Sequence, residues 1–443
     1  MLIEKENIKV RQVLLWQKQN KIMEKFLIKG PTPKGVSGSI NCSGAKNAAL
    51  PLMASSILFE GTVVLKNIPL VNDVMTMIIL LQALGSKIEF FKKKRIIKIT
   101  NTKKHKTLVP YKLISTMRSG VLLMGSLLGK YNKCTSAMSG GCSLGIRAIN
   151  FHIEGFKKLD CKYSLNKGYI NLEAKNGLKG NTYKFPKVTV TGTSNLIMAS
   201  VLAKGVTILR NISIEPEVVD LIKFLKNGGA KISFIGKRVI KINGVKKLNG
   251  CTHEIIGDRI EAFSYLCVGA ITKGKIKVKK INPKHLESEL QVLKKIGCSL
   301  RIEKSSIYLN IKKKLKPTKI KTGVWPLFAT DNMPMIMSVL TKVIGKSEIT
   351  ETIFSNRFMA SPELERMGAL IKLKDNKAKI IGTKNLIGAE CIASDLRTTF
   401  SIILGAIAAE NYSSISRVYH GKRGYSNLVK NLKSIGVNIR SVS

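Results

Sequence analysis

Cys142 stands in a glycine-rich segment in which its thiol could act as an acid or as a nucleophile. Gly140, Gly141 and Gly145 predict a loop, because glycine reaches positive φ freely and resists burial in regular structure. Arg147 follows five residues later, and a neighbouring cation lowers the pKa of a thiol from its ordinary value of about 8.5. A free cysteine usually behaves as a small buried apolar residue. Here the surrounding residues favour a reactive thiol.

Lys46 lies in the run 43–50, which predicts the start of a helix. Ser43 is the candidate N-cap, and the alanines that follow favour propagation of the helix. A lysine in the first turn opposes the helix dipole, which is unfavourable for stability. The same position is suited to holding a phosphate against the exposed N–H groups. A phosphate contact and a solvated lysine are both open interpretations of this residue alone.

Four arginines lie beside apolar residues or glycines in a lysine-rich chain: Arg118, Arg357, Arg397 and Arg423. The guanidinium group binds a phosphate or a carboxylate through two parallel hydrogen bonds, which the lysine ammonium does not. Each arginine taken singly also fits a surface ion pair. Asp331, in the segment 329–332, offers a carboxylate that could serve as a general base.

The elements that must position these residues follow a repeat. Six times, an apolar helical stretch ends at a turn and an alternating strand follows. The turn positions are Gly85, Asp160, Gly229, Gly297, Gly368 and Gly436, at intervals of 68 to 75 residues. The intervals also hold second helix-to-strand passages. Units of this size are too large for a simple solenoid, so we expect six small α/β modules packed into larger domains.

The 443 residues suffice for two domains, and their charge is strongly basic. Lys and Arg number 75 against 27 Asp and Glu, a net charge of +48. Nucleic-acid binding would explain this charge if the basic residues formed one patch. Such binding would depend steeply on salt. The lysines are instead spread along the chain and alternate with apolar residues, as in Lys275–Lys279, which is typical of a half-buried strand. We favour compositional drift, with attraction of anionic substrates as a secondary benefit.

Several classes of protein are excluded by the sequence. No apolar run approaches the roughly 20 residues of a membrane helix, and no P-loop or Rossmann glycine pattern is present. Eight cysteines without a C-x-x-C pair argue against a zinc ribbon and a disulfide scaffold. Five scattered histidines make a metal site unexpected. We expect a cytoplasmic protein with reduced thiols, no metal and no cofactor.

Residues 1–22 differ in composition from the rest of the chain. They are basic, contain Trp16, and lack the apolar core and cleavage site of a secretory signal. We expect an N-terminal extension outside the fold, or an upstream start codon before Met23. Glu4 and Glu6 disfavour a cleaved organelle-targeting peptide.

Several motifs, in order along the chain, resemble those of the enolpyruvyl transferase family. They include Ser-Gly-Ala-Lys-Asn-Ala-Ala-Leu-Pro at 43–51 and Gly-Gly-Cys-Ser-Leu-Gly-Ile-Arg at 140–147. Further matches lie at 116–118, 330–331, 351–359, 362–364, 394–397 and 419–425. The resemblance implies the enolpyruvyl transferase fold, a two-domain inside-out α/β barrel built from six βαβαββ repeats. It implies one domain at 46–256 and a second made of 23–45 plus 257–443, closing over a central cleft.

The resemblance also implies an activity. The enolpyruvyl group of phosphoenolpyruvate would be transferred to the 3′-hydroxyl of UDP-N-acetylglucosamine with release of phosphate, the first committed step of peptidoglycan precursor synthesis. The sister enzymes that make enolpyruvylshikimate phosphate are the first alternative, and the motifs at 43–47 and 140–142 argue against it. No metal, no specific nucleic acid and no membrane span are implied.

Residue roles are implied at the matching positions. Cys142 would be the general acid, Asp331 would accept the hydroxyl proton, and Lys46 and Arg397 would be further catalytic cations. The matching substrate-binding positions are Lys46, Asn47, Arg118, Arg147, Ala148, Ile149, Asn150, Phe151, Lys187, Val188, Thr189, Val190, Asp331, Ile353, Arg357, Asp395 and Arg423. Asn150 replaces an aspartate of the family's uracil-contacting stretch and removes a charge there. Electrostatic catalysis in a closed, dry site is the implied mechanism.

An epoxide phosphonate of the fosfomycin type, which is known to act on this family, should alkylate Cys142 in preference to the other seven cysteines. Low pKa and exposure together govern thiol reactivity, and UDP-N-acetylglucosamine should speed the labelling by closing the site. Cys142→Ser should lose the label and most turnover, because a hydroxyl is a far weaker acid. Cys142→Asp should keep proton transfer and escape the drug. Peptide mapping that placed the label on another cysteine would contradict this role.

Overall fold

The computed structural model describes residues 24–32, 35–101, 104–114, 117–137 and 149–442, apart from the side chain of Arg118. The predicted extension at 1–22 lies outside the described residues. Backbone contacts divide the described chain into a middle unit, within 44–256, and a terminal unit formed by 24–43 and 257–442. The assignment of 46–256 and of 23–45 plus 257–443 as domains stays a proposal, which this division supports.

The described part of the middle unit contains three small mixed sheets. The first consists of Phe59–Lys66, Lys87–Phe91, Ile96–Asn101, Leu248–Asn249 and Thr252–Glu254. The second consists of Leu108–Val109, Lys133–Ala137, Lys162–Asn166 and Tyr169–Glu173. The third consists of Thr182–Lys184, Val206–Arg210, Lys231–Gly236 and Val239–Asn243.

The described part of the terminal unit likewise contains three sheets. The first consists of Ser37–Asn41, Lys275–Lys279, Ser299–Glu303 and Ser306–Asn310. The second consists of Lys319–Lys321, Gly345–Thr350, Leu370–Lys374 and Lys377–Gly382. The third consists of Lys25–Gly30, Leu386–Ile387, Glu390–Ile392, Ala409–Ser416 and Asn438–Val442. All six sheets share one topology, in which a parallel pair is followed by two antiparallel pairings.

The helices of the middle unit are α1 (Lys46–Ser55), α2 (Asn72–Leu84), α3 (Tyr111–Ile114), α4 (Leu122–Tyr131), α5 (Asn150–Lys158), α6 (Val190–Ser200) and α7 (Pro216–Asn227). Those of the terminal unit are α8 (Arg259–Ile271), α9 (Glu287–Lys295), α10 (Met333–Leu340), α11 (Ser361–Arg366), α12 (Leu396–Ala408) and α13 (Leu428–Ser434). Short 3₁₀ helices cover Ser56–Leu58, Arg118–Val121, Pro283–Leu286, Thr330–Asn332 and Val418–Arg423. No helix in the described ranges has both the length and the apolar character needed to cross a bilayer.

The six predicted turns each follow a helix and precede a strand. All five glycines have positive φ, from 86° at Gly368 to 121° at Gly85. Asp160 occupies the sixth turn with φ 69°, a left-handed conformation that Asp tolerates better than most residues with a Cβ. The predicted six-fold repeat is therefore confirmed, including the copy without glycine.

Two helices of the terminal unit are buried on all sides. Every residue of α8 and of α10 is buried, and such helices must be surrounded by other elements. The sheets surround them with one face each. In Lys275–Lys279, Ile276 and Val278 are fully buried while Lys275 and Lys279 are exposed. Helices inside and sheets outside are the inside-out arrangement that the sequence implied, although the described residues contain no closed barrel.

Strands from the start of the described chain complete sheets of the terminal unit. Lys25–Gly30 lies between Ala409–Ser416 and Asn438–Val442 and is antiparallel to both. Ser37–Asn41 pairs in parallel with Lys275–Lys279. The segment 24–43 therefore belongs with the C-terminal half of the chain, because its backbone hydrogen bonds are satisfied there.

A buried polar network in the middle unit fixes the protonation state of His105. The Asn101 amide nitrogen donates to the carbonyl of Ser56 at 2.6 Å, so its oxygen accepts from Ser86 Oγ at 3.0 Å. Ser86 Oγ then accepts from His105 Nε2 at 2.9 Å, and Nδ1 accepts from the Tyr131 hydroxyl at 2.6 Å. Burial, and secondarily Lys130, lowers the pKa of His105 below its ordinary value. The network is complete only with a neutral imidazole.

His105→Gln should lower the free energy of unfolding by about 1–3 kcal/mol at pH 7.5, because buried polar groups lose their partners. The loss should shrink below about pH 6.5, since unfolded His105 titrates there and the folded residue titrates lower. The unfolded chain then binds more protons, and the contribution of neutral His105 is lost as pH falls. Urea unfolding at pH 7.5 and 5.5 measures the difference. A difference that is independent of pH would contradict the neutral assignment.

Candidate active site

Lys46 is the first residue of α1, as predicted, but the predicted cap is wrong. The N-cap is Ala45, which has no side-chain capping bond. Ser43 belongs to the terminal unit, where its hydroxyl donates to Glu261 and its backbone N–H donates to the same carboxylate at 2.8 Å. Lys46 Nζ lies 3.2 Å from Asp73 Oδ2, with side chains 12% and 6% exposed. Asp73 thus compensates a lysine that is otherwise poorly placed at a helix N-terminus.

Several helices of the middle unit begin at the same end of the unit. A Cβ added at Gly125 of α4 would lie 2.4 Å from Asn195 O of α6, and one added at Gly129 would lie 2.7 Å from Met198 O. The contacts advance in the same direction along both helices, so α4 and α6 are parallel. Leu58, just after α1, packs on Gly129 near the end of α4, so α1 ends near the end of α4. The first N–H groups of these helices are unpaired within the helix and carry positive partial charge. This end of the middle unit is suited to anions.

The predicted nucleotide-sugar contacts of the middle unit lie at the start of two neighbouring helices. Ile149 is the N-cap of α5, with Asn150 and Phe151 in its first turn. Thr189 is the N-cap of α6 and accepts from Gly192 N at 3.3 Å. Of the adjoining positions, Lys187 is exposed, while Val188 and Val190 are half-buried. Asn47 follows Lys46 in α1.

His152 joins the starts of α5 and α6. Its Nε2 lies 3.4 Å from Thr191 Oγ1, and its Nδ1 lies 2.8 Å from Asn195 Nδ2. The structure therefore brings together two stretches, 149–151 and 187–190, that are almost 40 residues apart in sequence. Their roles as substrate contacts stay predictions.

Other predicted residues lie outside the described part of the chain. Cys142, Arg147 and Ala148 fall in the segment 138–148, and Thr116 falls in 115–116. The backbone of Arg118 begins the 3₁₀ helix Arg118–Val121 ahead of α4, but its side chain is not among the described ones. The catalytic and substrate-binding roles of these residues stay predictions.

The described cysteines are poor nucleophiles. Burial raises the pKa of Cys161 and Cys251 to about 11 and that of Cys298 and Cys391 to about 12. Burial also raises the pKa of Cys42, Cys134 and Cys267. A thiol with a raised pKa holds little thiolate at neutral pH, and the thiolate is the reactive form. Seven of the eight cysteines are thus poorly suited to react with an epoxide.

Asp331, in the terminal unit, is held between two buried arginines. Arg357 donates from Nη2 to Oδ1, and Arg397 donates from Nη2 to Oδ2 at 2.9 Å. The side chains of Arg357 and Arg397 are 2% and 6% exposed, whereas that of Asp331 is 29% exposed. One carboxylate faces two guanidinium groups, so this group of three carries a net positive charge. It can attract an anion through electrostatics that burial strengthens.

Arg397 also contacts Tyr425, which connects it to the helix core. Its Nη1 lies 3.4 Å from the Tyr425 hydroxyl, which lies 2.8 Å from Ser264 Oγ on α8. Burial disfavours the charge of Arg397, but Asp331 and further groups outweigh burial and raise its pKa. Burial raises the pKa of Tyr425 to about 12, despite the opposing effect of Arg397. Arg397 is therefore a permanent cation beside a neutral phenol.

Two buried glutamates that the sequence analysis missed hold the Asp331 segment in place. Glu289 Oε1 accepts from Ala329 N at 2.9 Å and from Asn332 Nδ2 at 3.1 Å. Glu351 accepts from Thr330 Oγ1 at 3.0 Å, and its other oxygen accepts from the backbone of Ile353 at 2.7 Å. Glu351 lies inside a matching motif, but nothing in the sequence around Glu289 distinguishes it from an ordinary helix residue.

The remaining predicted residues of the terminal unit are Asp395, Arg423 and Ile353. Asp395 caps α12 and accepts from Arg397 N at 2.7 Å and Thr398 N at 3.1 Å. Arg423 is the last residue of the 3₁₀ helix Val418–Arg423 and is half-buried. Ile353 is 37% exposed. Substrate contact by these residues stays a prediction, and the described contacts of the Asp395 carboxylate are those of a helix cap.

The central helices of the terminal unit also begin at one end. Asp331 lies just before α10, and its partner Arg397 lies in the first turn of α12. Further along the same two helices, Ser338 Oγ lies 2.6 Å from Ser401 Oγ. The two helices are therefore parallel. Asp258 caps α8, whose Ser264 bonds Tyr425 at this end. Among the described residues no cluster of three or more His, Cys, Asp or Glu could hold a metal ion.

Comparison with known proteins identifies the family. The family described as EPSP synthase (3-phosphoshikimate 1-carboxyvinyltransferase) matches residues 31–432. A UDP-N-acetylglucosamine 1-carboxyvinyltransferase from Pelagibacter ubique is 44% identical over 408 residues, which cover 92% of this chain and 97% of that protein. The chain belongs to the enolpyruvyl transferase family. A protein of the same name from Nitratiruptor is 40% identical, with coverage of 93% of this chain and 98% of that one.

Solved structures show the fold of the enolpyruvyl transferase family. The enolpyruvyl transferase NikO from Streptomyces tendae matches with a TM-score of 0.85 and 19% identity, covering 95% of this chain and 99% of that one. An EPSP synthase from Acinetobacter baumannii matches with a TM-score of 0.75 and 18% identity, covering 95% and 100%. The predicted fold class and the predicted family are therefore confirmed.

Asp331→Asn should lower the free energy of unfolding by about 3 kcal/mol, because two buried guanidinium groups lose their shared counter-charge. Inorganic phosphate should raise the unfolding midpoint of this variant more than that of the unchanged protein, since the released arginines can bind it. Urea unfolding with and without phosphate measures both effects.

The matched control is Asp375→Asn, which alters an exposed aspartate with φ 51° that asparagine also tolerates. This control should unfold within about 0.5 kcal/mol of the unchanged protein. Equal stabilities for the two variants would mean that Asp331 does not balance the arginines.

Proposed function

We propose that this protein transfers the enolpyruvyl group of phosphoenolpyruvate to the 3′-hydroxyl of UDP-N-acetylglucosamine and releases phosphate. The observation that carries the proposal is that Asp331 forms ion pairs with both Arg357 and Arg397. These residues lie at the end of the terminal unit where α10 and α12 begin. The names of relatives at 40–44% identity supply the acceptor, UDP-N-acetylglucosamine, and the transferred carboxyvinyl group. In a bacterial cell this reaction leads to peptidoglycan precursors.

The arginine pair is suited to the charge of phosphoenolpyruvate. This substrate carries a carboxylate and a phosphate, and both match the planar donors of a guanidinium group. Without an anion, Asp331 satisfies Arg357 and Arg397. When an anion binds, one arginine can turn from Asp331 to the substrate, so the cations need not remain unpaired in either state.

The same exchange prepares Asp331 as a base. A carboxylate that receives hydrogen bonds from two cations is weakly basic, because its charged form is strongly favoured. Release of one arginine to the substrate raises its proton affinity. Asp331 then accepts the 3′-hydroxyl proton as the sugar oxygen bonds to C2 of phosphoenolpyruvate.

The remaining steps fall to other predicted residues. Cys142 donates a proton to C3, which gives a tetrahedral intermediate. Breaking of the C2–O bond to phosphate and loss of a C3 proton then leave the enolpyruvyl ether and inorganic phosphate. Lys46, half-buried at the start of α1 and paired with Asp73 at 3.2 Å, supplies positive charge for the phosphate and for the charge that develops in the transition state.

The nucleotide sugar is assigned to the starts of α5 and α6. Unpaired N–H groups at helix N-termini bind diphosphates well, and the half-buried side chains of Ile149, Phe151 and Val190 offer apolar contacts to a ring. Asn150, the first residue of α5, offers an amide where the family has a carboxylate.

The proposed setting is the cytoplasm, where both substrates are water-soluble anions. A basic chain attracts such substrates over several ångströms at low ionic strength. The main alternative substrate is shikimate 3-phosphate, because the matching family description names that activity. The named relatives at 40% identity or more favour the nucleotide sugar.

Release of phosphate should require phosphoenolpyruvate together with UDP-N-acetylglucosamine, and shikimate 3-phosphate should not replace the sugar. Arg397→Lys should lower kcat about 100- to 1000-fold, because a bidentate contact to developing charge is lost. The matched control Arg440→Lys changes an exposed strand residue of the same unit and should leave kcat within twofold. A coupled phosphate assay decides, and turnover of phosphoenolpyruvate with shikimate 3-phosphate in place of the nucleotide sugar would overturn the substrate assignment.

A further inference from the structure

The second sheet of the terminal unit has a strongly basic outward face. Cross-strand register places one set of residues on this face, and their neighbours along the strands, such as Ile320, Ile349 and Ile380, are buried on the other. The charged members of the outward set are Lys319, Lys321, Lys346, Glu348, Lys372, Lys374, Lys377 and Lys379. We call this surface the lysine face.

Like charges are placed directly opposite one another on the lysine face. Lys372 pairs in register with Lys379, and Lys374 pairs with Lys377. Like charges on directly opposed strand residues are destabilising. Glu348 is the one carboxylate in the set, and it stands between Lys319 and Lys379. Within the described residues no side-chain ion pair involves these seven lysines, whereas Lys277 of the neighbouring sheet lies 2.7 Å from Glu303.

Charge is balanced on a comparable sheet of the middle unit. The outward residues of the sheet built on Phe59–Lys66 include Lys66, Lys87 and Lys98, together with Glu60 and Glu89. Lys98 pairs in register with Glu89. The lysine face therefore carries more outward lysines, and a smaller share of carboxylates, than this comparable sheet.

Apolar side chains lie among the lysines. Leu370 and Ile381 pair in register on this face and are 55% and 46% exposed. Ile344, directly before Gly345–Thr350, is 57% exposed. Burial of these side chains against an apolar phase would be favourable. The surface is open and flat, because it is one side of a sheet.

We propose that the lysine face docks on an anionic lipid surface. Lysine ammonium groups suit the phosphates of lipid headgroups, and Leu370 and Ile381 suit the boundary between headgroups and acyl chains. A nucleic-acid surface fits less well. Arginine forks and aromatic stacking platforms are the usual means of binding nucleic acid, and the outward set contains neither. The docking leaves the rest of the protein in water, in agreement with the absence of a membrane-crossing helix from the described residues.

The test uses vesicles of phosphatidylglycerol with phosphatidylcholine, vesicles of phosphatidylcholine alone, and single-stranded polyuridylate. The variant Lys372→Gln, Lys374→Gln, Lys379→Gln should bind the anionic vesicles about 100-fold more weakly, because each lysine near an anionic surface contributes about fivefold. The matched control Lys66→Gln, Lys87→Gln, Lys98→Gln removes the same charge from the balanced sheet. It should weaken binding less than about fivefold.

A second variant separates the apolar contribution. Leu370→Ser with Ile381→Ser should remove the vesicle binding that persists at high salt, since screening leaves only apolar contacts. All variants should keep the turnover and unfolding midpoint of the unchanged protein, which shows that they are folded. The proposal is overturned if the lysine variant and its control bind vesicles equally. It is also overturned if binding to polyuridylate falls more than binding to anionic vesicles.

Discussion

The positive charge at the N-terminal ends of the buried helices is the constraint on which the rest of this structure depends. In each unit, parallel helices begin at a common end, and their first N–H groups add up there. That end also carries basic side chains, Lys46 in one unit and Arg357 with Arg397 in the other. Such an end is stable only with counter-charges, and an anion is the natural one. The features that favour an anionic substrate are therefore built into the helix directions.

The internal carboxylates of these ends serve stability and chemistry together. Asp73 compensates Lys46, and Asp331 compensates two arginines. Removing an anionic partner from a buried cation is expensive, so an incoming anion must replace an existing contact rather than fill an empty one. In the proposed mechanism the residue that stabilises the resting arginines is also the one that receives the proton.

The outward faces of the sheets are less constrained in charge than the buried helices. Each sheet covers the helices with one apolar face and leaves its other face to water, which permits wide variation in charge. The lysine face concentrates seven lysines around exposed leucine and isoleucine. The end where the helices begin and the sheet exterior can therefore carry separate functions, because one depends on helix N-termini and the other on strand faces.

The sequence by itself determined the repeat of six α/β modules and, through the family resemblance of its motifs, the inside-out fold class; it also proposed the members of the candidate site. These are local signals: Gly85 and its counterparts follow helix ends, strands alternate, and the motifs around Asp331 and Arg397 are contiguous. Tertiary structure decided the partners. The residues around Ser43 predict a helix cap, yet Ser43 bonds Glu261, 218 residues away. Lys46 pairs with Asp73. Glu289 holds the Asp331 segment from 40 residues away. Buried carboxylates leave no periodic pattern in the sequence. Their positions depend on hydrogen-bond donors from distant segments, and these donors come together only when the chain is packed.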